Sequence, residues 1–280
     1  MRTRLTALLA ALAIVAMGAF VAGCGGDDDD DGDGDGGADL GLIQEGQLLV
    51  GTDTPFPPFE RGQPPNISGF DIDVVNGIAD KLGLEVTYQD TSFDTIFRDV
   101  AQGKFDMAVA ATTITPERQR TVSFSDPYYQ ANQSLIVAAG SDIRTVDDLG
   151  GATVGAQDGT TGEDYANDET DAAQVRGYPE GPDAVNALRA GQVDGVIIDQ
   201  PVAVDAVESL GGGDIEIAQE IVTSELYGIY VPKDKTALLE EINSALRELK
   251  DDGTLADLYQ RYFPGTEPPE SVLTGTTQNP

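Results

Sequence analysis

The sequence predicts an α/β fold built from two related lobes, and two observations carry that prediction. Strand and helix signals alternate along the chain, which demands a largely parallel sheet with right-handed crossovers. The stretch Ala101-Gln102-Gly103-Lys104-Phe105-Asp106 is also echoed by Arg189-Ala190-Gly191-Gln192-Val193-Asp194. Each reads as a helix end, a glycine stop, two residues, an aspartate and then an apolar strand, a weak self-similarity that suggests a repeated unit.

In chain order, Leu48 to Gly51 reads as a strand, followed by the rigid loop Asp53-Thr54-Pro55-Phe56-Pro57-Pro58-Phe59-Glu60. Phe70 to Leu82 carries apolar residues at helical spacing and ends at Gly83, a glycine C-cap. Leu84 to Tyr88 is a strand, and Phe93, Ile96, Phe97 and Val100 mark a helix stopped by Gly103. The apolar run Met107 to Ala110 is a buried strand. Thr115-Pro116 then predicts a helix start, with an N-cap hydroxyl and proline at the first helical position. Arg118 sits in that first turn, where the helix dipole prefers acids. Either its guanidinium grips an anion bidentately beside the exposed backbone N–H groups, or it is a solvated surface arginine.

The pattern then returns. Ala152 to Ala156 is a strand entering Gln157-Asp158-Gly159-Thr160-Thr161-Gly162-Glu163, where Thr160 and Glu163 fit a capping box. Pro182 to Arg189 is a helix, Val193 to Ile198 a strand, Gly228 to Val231 a strand, and 236–250 and 255–262 are helices. The stretch 265–280 is rich in Pro and Thr with little to bury and is expected to be disordered.

Composition bounds the chemistry. The chain has 280 residues, no histidine or tryptophan and a single cysteine. This excludes Cys/His zinc sites, Cys–His and Ser–His–Asp machinery and any internal disulfide; no cofactor or metal is expected. The formal net charge of −33 makes nucleic acid an unsuitable partner, because the phosphate contribution is repulsive. Such an acidic surface with few lysines is also consistent with a high-salt habitat.

Residues 1–23 read as a signal peptide, with Arg2 and Arg4 before an apolar run from Leu5 to Phe20. The small residues of Val21-Ala22-Gly23 precede the sole cysteine, Cys24, as in a bacterial lipoprotein cleavage box. Lipidation of Cys24 would anchor the chain to the membrane; the alternatives are an ordinary signal peptide or a membrane-spanning helix with a stray cysteine. Residues 24–46 then form an acidic, disordered tether. Within it Asp31-x-Asp33-x-Asp35-Gly36 copies half of a calcium loop, but Leu42 stands where the bidentate glutamate belongs. A solvated spacer is the preferred reading.

Six stretches together resemble the polar-amino-acid family of extracytoplasmic solute-binding proteins, the receptors of ABC importers. They are Gly51 to Glu60, Gly69-Phe70-Asp71-Ile72-Asp73, Thr113 to Arg118, Phe124-Ser125-Asp126-Pro127-Tyr128-Tyr129, Val154 to Gly162 and Asp194 to Pro201, with Gly253 to Phe263 as a further match. The resemblance covers about 47–264 and implies a two-lobe, periplasmic-binding-protein-like fold, each lobe a mostly parallel sheet flanked by helices, joined by two hinge strands. The crossings are placed near Tyr128–Asn132 and Thr223–Tyr227, giving one lobe of 47–129 plus 228–264 and another of 130–227.

The resemblance also implies roles. Arg118 holds the α-carboxylate of a free amino acid, helped by Thr113 and by backbone N–H groups at Ala111 and the Thr160–Thr161 turn. Asp199 accepts the α-ammonium, Phe56 and Phe93 sandwich the side chain, and Asp53 meets its far end. Other readings stay open: Phe93 as helix core, Asp199 as a turn former before Gln200-Pro201, Asp53 as an Asx-turn. Relative to the glutamine-binding member, Gln157 and Ile198 replace a lysine and a histidine. With Arg118 and Asp199 neutralising the zwitterion, Asp53 lacks a cation, which favours a cationic side chain such as arginine or lysine, then glutamine. A monomer working with ABC permease and ATPase subunits is expected. The alternatives are a cyclohexadienyl dehydratase-like enzyme on the same fold and a sensory module for a signalling partner.

Overall fold

Two five-stranded sheets, one per lobe, account for the strand–helix alternation in the computed structural model, which describes residues 39–209 and 213–274. The expected leader, Cys24 and the Asp31–Gly36 stretch lie outside the described residues. The chain runs β1 (Gln47–Thr52), β2 (Arg61–Gln63), β3 (Asn66–Ser68), α1 (Phe70–Leu82), β4 (Glu85–Asp90), α2 (Phe93–Ala101), β5 (Met107–Ala108) and β6 (Ser123–Phe124). It crosses over along β7 (Tyr129–Ala138) and continues with β8 (Thr153–Gln157), α3 (Thr161–Asp168), β9 (Gln174–Tyr178), α4 (Gly181–Arg189), β10 (Gly195–Asp199) and α5 (Gln200–Ser209). It returns along β11 (Ile215–Tyr227) to β12 (Tyr230–Val231), α6 (Thr236–Asp251), α7 (Thr254–Tyr262) and α8 (Glu270–Thr274).

The first sheet has the order β4-β1-β5-β12-β6 and the second β11-β7-β10-β8-β9. Each combines three parallel strands with an antiparallel extension. In the first, β4, β1 and β5 are parallel and β12 antiparallel; in the second, β9, β8 and β10 are parallel and β7 antiparallel. Parallel strands aim their C-terminal ends at one sheet edge, so the loops after β1, β5, β8 and β10 gather there.

Local chemistry explains the elements that hold this frame. Helix α1 buries Phe70, Val74, Val75 and Ile78 on one face, and Gly83 ends it in the left-handed region at φ 67°, which glycine adopts at no steric cost. The hinge strands are wedged by aromatic rings. Tyr129 stacks on Tyr259 at 5.1 Å, while Phe59 and Phe70 meet Tyr129 edge-on at 5.1 and 5.4 Å. The Tyr259 hydroxyl donates to the Tyr128 carbonyl at 3.2 Å.

Three expectations need correction. The helix read from Thr115-Pro116 is a single 3₁₀ turn, Arg118–Arg120. The Thr115 hydroxyl does accept from the Arg118 N–H at 3.2 Å, but the following Gln119, Arg120 and Thr121 offer no apolar face to extend a helix. The tether does not stay free to residue 46: Leu40 and Leu42 pack on the core, and the buried Asp106 takes the N–H groups of Ile43 at 2.8 Å and Leu49 at 3.0 Å. The tail 265–280, read as disordered, contains α8, which buries Val272 completely and hydrogen-bonds Ser271 to Gln130. In both segments a few apolar side chains within polar sequence find the core. Among the described residues no helix is long and apolar enough to cross a membrane.

Candidate functional site

The loops at the strand ends enclose a cleft lined by Asp53, Phe56, Phe93, Ala110, Ala111, Thr113, Arg118, Gln157, Thr160, Thr161 and Asp199. All ten side chains or backbone positions singled out from the sequence therefore stand together, joined only by Ala110. Asp53 follows β1, Ala111 and Thr113 follow β5, Thr160 and Thr161 open α3, and Asp199 ends β10. Both lobes thus supply the walls. The room inside is small, about 10 Å³ of positions open to a water centre.

Arg118 is the one cation among the lining residues. Its guanidinium donates to the Thr113 carbonyl at 2.8 Å and to the Gly159 carbonyl, across the cleft, at 3.0 Å. It also lies 5.1 Å from the Phe93 ring centre and 5.0 Å from that of Phe97, a pair of cation–π contacts that fix a planar fork. Burial lowers its pKa from the ordinary arginine range. Phe93 is both core and lining: it belongs to an apolar cluster with Ile96 and Val100 and reaches the cleft with its ring. Phe56 covers the opposite lobe closely enough that a Cβ on Gly181 would stand 2.9 Å from its ring.

Of the cleft acids, Asp199 feels the Arg118 guanidinium, which offsets part of its rise, whereas no cation among the described residues acts on Asp53. Asp53 is 3% exposed; one oxygen accepts from the Gln157 amide at 2.6 Å and the other has no partner. Burial pushes its pKa up to about 7, and the charge of Asp90 adds to the rise. Asp199 accepts from the Gln133 amide; burial, then the charge of Glu225, push it to about 7. Glu180, at the N-terminus of α4, is raised to about 8 by burial and by Asp53 and Asp90.

Two details depart from the sequence reading. The Ala111 N–H does not point to the cleft: it donates to the buried carboxylate of Asp71 at 2.7 Å, with Ala111 itself at φ 43°. Asp71 is fully buried, and the Tyr128 hydroxyl also donates to it at 2.8 Å. The capping box is displaced by one residue. Thr160 caps Glu163 at 3.2 Å, but the Glu163 carboxylate accepts from the N–H of Gly159 at 2.8 Å.

Sequence reasoning missed Glu225 and Gln133. Glu225, on β11, accepts from the hydroxyls of Thr113 and Thr161 at 2.6 Å each, and the Gln133 amide reaches Glu225 at 3.1 Å. No motif singles out either residue; the only signal is an acid placed two residues before Tyr227 in a stretch already read as a hinge.

Comparison with known proteins identifies the family. A family model described as bacterial extracellular solute-binding proteins, family 3, matches residues 48–265. The ABC transporter arginine-binding protein 1 of Escherichia coli K12 is 33% identical over 224 residues, 78% of this chain and 91% of the relative. A solved ancestral arginine-binding protein bound to arginine superposes with a TM-score of 0.74 at 38% identity, covering 78% of this chain and 98% of its own. An ancestral amino acid-binding protein described as a precursor of cyclohexadienyl dehydratase superposes at 0.72 with 33% identity, covering 78% and 96%. With the family match spanning both lobes and the curated relative agreeing over most of its length, this chain belongs to the bacterial extracellular solute-binding proteins of family 3.

Proposed function

We propose that this protein captures a free cationic amino acid, arginine or lysine first and glutamine next, by closing its lobes on it, and delivers it to an ABC permease and its ATPase. Arg118 holds the α-carboxylate, helped by the N–H groups at the start of α3. Asp199 takes the α-ammonium, Phe56 and Phe93 flank the side chain, and the far end meets Asp53. The observation that carries this reading is the charge inventory: one guanidinium and two carboxylates line a single cleft, with the charge of Asp90 acting on Asp53 and that of Asp53 on Glu180. A zwitterion cancels Arg118 and Asp199; a cationic tail, or failing that a hydrogen-bond donor such as the glutamine amide, relieves the desolvated Asp53. A glutamate or aspartate tail would set two carboxylates together in a dry site. The narrow cleft admits such a ligand only as the lobes part, so ligand contact with both walls drives the shift to the closed form. The chain is read as a monomer held outside the cytoplasm by a lipid on Cys24.

A thermal-shift screen of the common amino acids tests the assignment, because a tight ligand raises the melting temperature by mass action. Arginine or lysine should give the largest rise. Arg118→Ala should weaken every responding ligand by about 2 kcal/mol or more in calorimetry. A flat screen, or unchanged affinity in the variant, would overturn the site.

The likeness to a dehydratase precursor gives the enzyme reading one point of support, since Asp53 with a pKa of about 7 has the character of a general acid. Incubation with prephenate or arogenate separates the two: a binding protein returns the compound unchanged.

A further inference from the structure

The hinge strand β11 is interrupted where it passes the cleft. Ile221 pairs with Gln133 and Glu225 with Ala131, so β11 spends four steps where β7 spends two. The extra residues bulge outward: Val222 is 78% exposed, and Ser224 adopts φ 52° while its N–H donates to Asn132 at 3.0 Å. A bulge re-aims the neighbouring side chain, and here Glu225 is turned toward the cleft walls. A single oxygen, Oε2, accepts the hydroxyl of Thr113 from one lobe and of Thr161 from the other, both at 2.6 Å. Its second oxygen takes the amide of the buried Gln133, which also serves Asp199. Glu225 does not line the cleft; it stands behind residues that do.

We propose that Glu225 is an interlobe clasp, a hinge-strand carboxylate that ties one threonine of each lobe to a single oxygen and fixes how both hydroxyls face the ligand. An ionised carboxylate only accepts, so both hydroxyl protons are spent on it. Thr113 and Thr161 then present lone pairs to the cleft. They serve as acceptors for the ligand's ammonium group and not, as expected for Thr113, as donors to its carboxylate. The clasp holds one residue of each lobe in the ligand-free chain, with Thr113 further tied to β11 by its pairing with Tyr227, so it favours the closed arrangement and slows ligand escape. The proposal rests on the amino-acid-capture reading above, and deepens it.

Glu225→Gln keeps the shape and removes the charge. Stopped-flow binding of arginine should show a release rate raised about tenfold with an entry rate changed less than about threefold, because affinity changes within one interface lie mostly in release. Arginine should be weakened more than 5-guanidinopentanoic acid, its analogue without the α-amino group; a general lesion of the fold weakens both alike. Small-angle scattering of the ligand-free protein should show a larger radius of gyration for the variant. Thr161→Val, which keeps the side-chain shape, should open the ligand-free cleft in the same way and add little in the Glu225→Gln background. Unchanged release and unchanged scattering in Glu225→Gln would overturn the clasp. If wild type binds neither arginine nor glutamine, the capture reading fails instead, and the scattering comparison still decides on the clasp.

Discussion

Asp53 and Asp199 are carboxylates that remain costly until something cationic reaches them. Each is raised from about 3.8 to about 7, chiefly by burial. A raised folded-state pKa means that the folded protein holds its proton more tightly than the unfolded chain does. The stabilisation from these groups is full below about 4 and is lost as pH rises through about 7. The melting temperature of the ligand-free protein should therefore fall across that window, and Asp53→Asn or Asp199→Asn should flatten the fall. Ligand binding carries the opposite sign, because an ammonium or guanidinium favours the ionised carboxylates. Arginine affinity should strengthen from about pH 5 to about pH 8, with protons released that calorimetry in buffers of different ionisation enthalpy will count. Affinity independent of pH would contradict the pairing of these acids with ligand cations. At this scale the lining residues were legible through the family resemblance, whose motifs are short and local in the sequence. Glu225 was not, since it depends on a bulge set by the pairing of two strands. The commitment of the Ala111 N–H to Asp71 joins positions far apart in sequence, and no spacing rule reports it.

Helices with strong periodicity, such as α1 and α6, follow their sequence signals closely, because a buried stripe decides them locally, with a glycine stop added at α1. Short elements do not. β5 and β12 pair over one or two residues and are shorter than the runs Met107 to Ala110 and Gly228 to Val231 suggest. α5 begins directly at Gln200-Pro201, a stretch to which no helix was assigned from the sequence. The element-level feature with most consequence is the aromatic wedge between α1, α7 and the two hinge strands. Phe70 is fully buried and meets Tyr128, Tyr129, Tyr259, Tyr262 and Phe263 within 6.2 Å between ring centres. Removing its ring leaves a cavity at the base of the hinge. Phe70→Ala should destabilise the protein by about 3–5 kcal/mol in urea unfolding, while leaving the order of ligand preference intact, because no Phe70 atom lines the cleft. A reordered ligand series would mean that the wedge shapes the site itself.

Across the whole molecule the dominant fact is charge: 49 acidic against 16 basic residues. Two electrostatic effects of salt oppose one another. Screening weakens the attractive pairs, such as Lys81 with Asp252 at 2.6 Å and Arg144 with Glu216 at 2.8 Å. Those pairs are largely solvent-exposed and individually weak. Screening also relieves the repulsion among the surplus carboxylates, which outnumber their partners about threefold. With a Debye length of about 10 Å at 0.1 M and about 3 Å at 1 M, the repulsive sum loses more than the paired one. The ligand-free protein should therefore melt at a higher temperature in molar KCl than in dilute buffer. Indifference or a fall would remove the case for adaptation to high salt. The same field acts on the ligand with the reverse outcome. A net acidic molecule draws in arginine, which carries a positive charge, but exerts no such pull on neutral glutamine. The association rate of arginine should fall as KCl is raised from 0.05 to about 0.5 M, and that of glutamine should hold nearly constant. Stability and capture rate should thus move in opposite directions along one salt series. Parallel movement of the two would mean that salt acts on the fold as a whole and not on its charges.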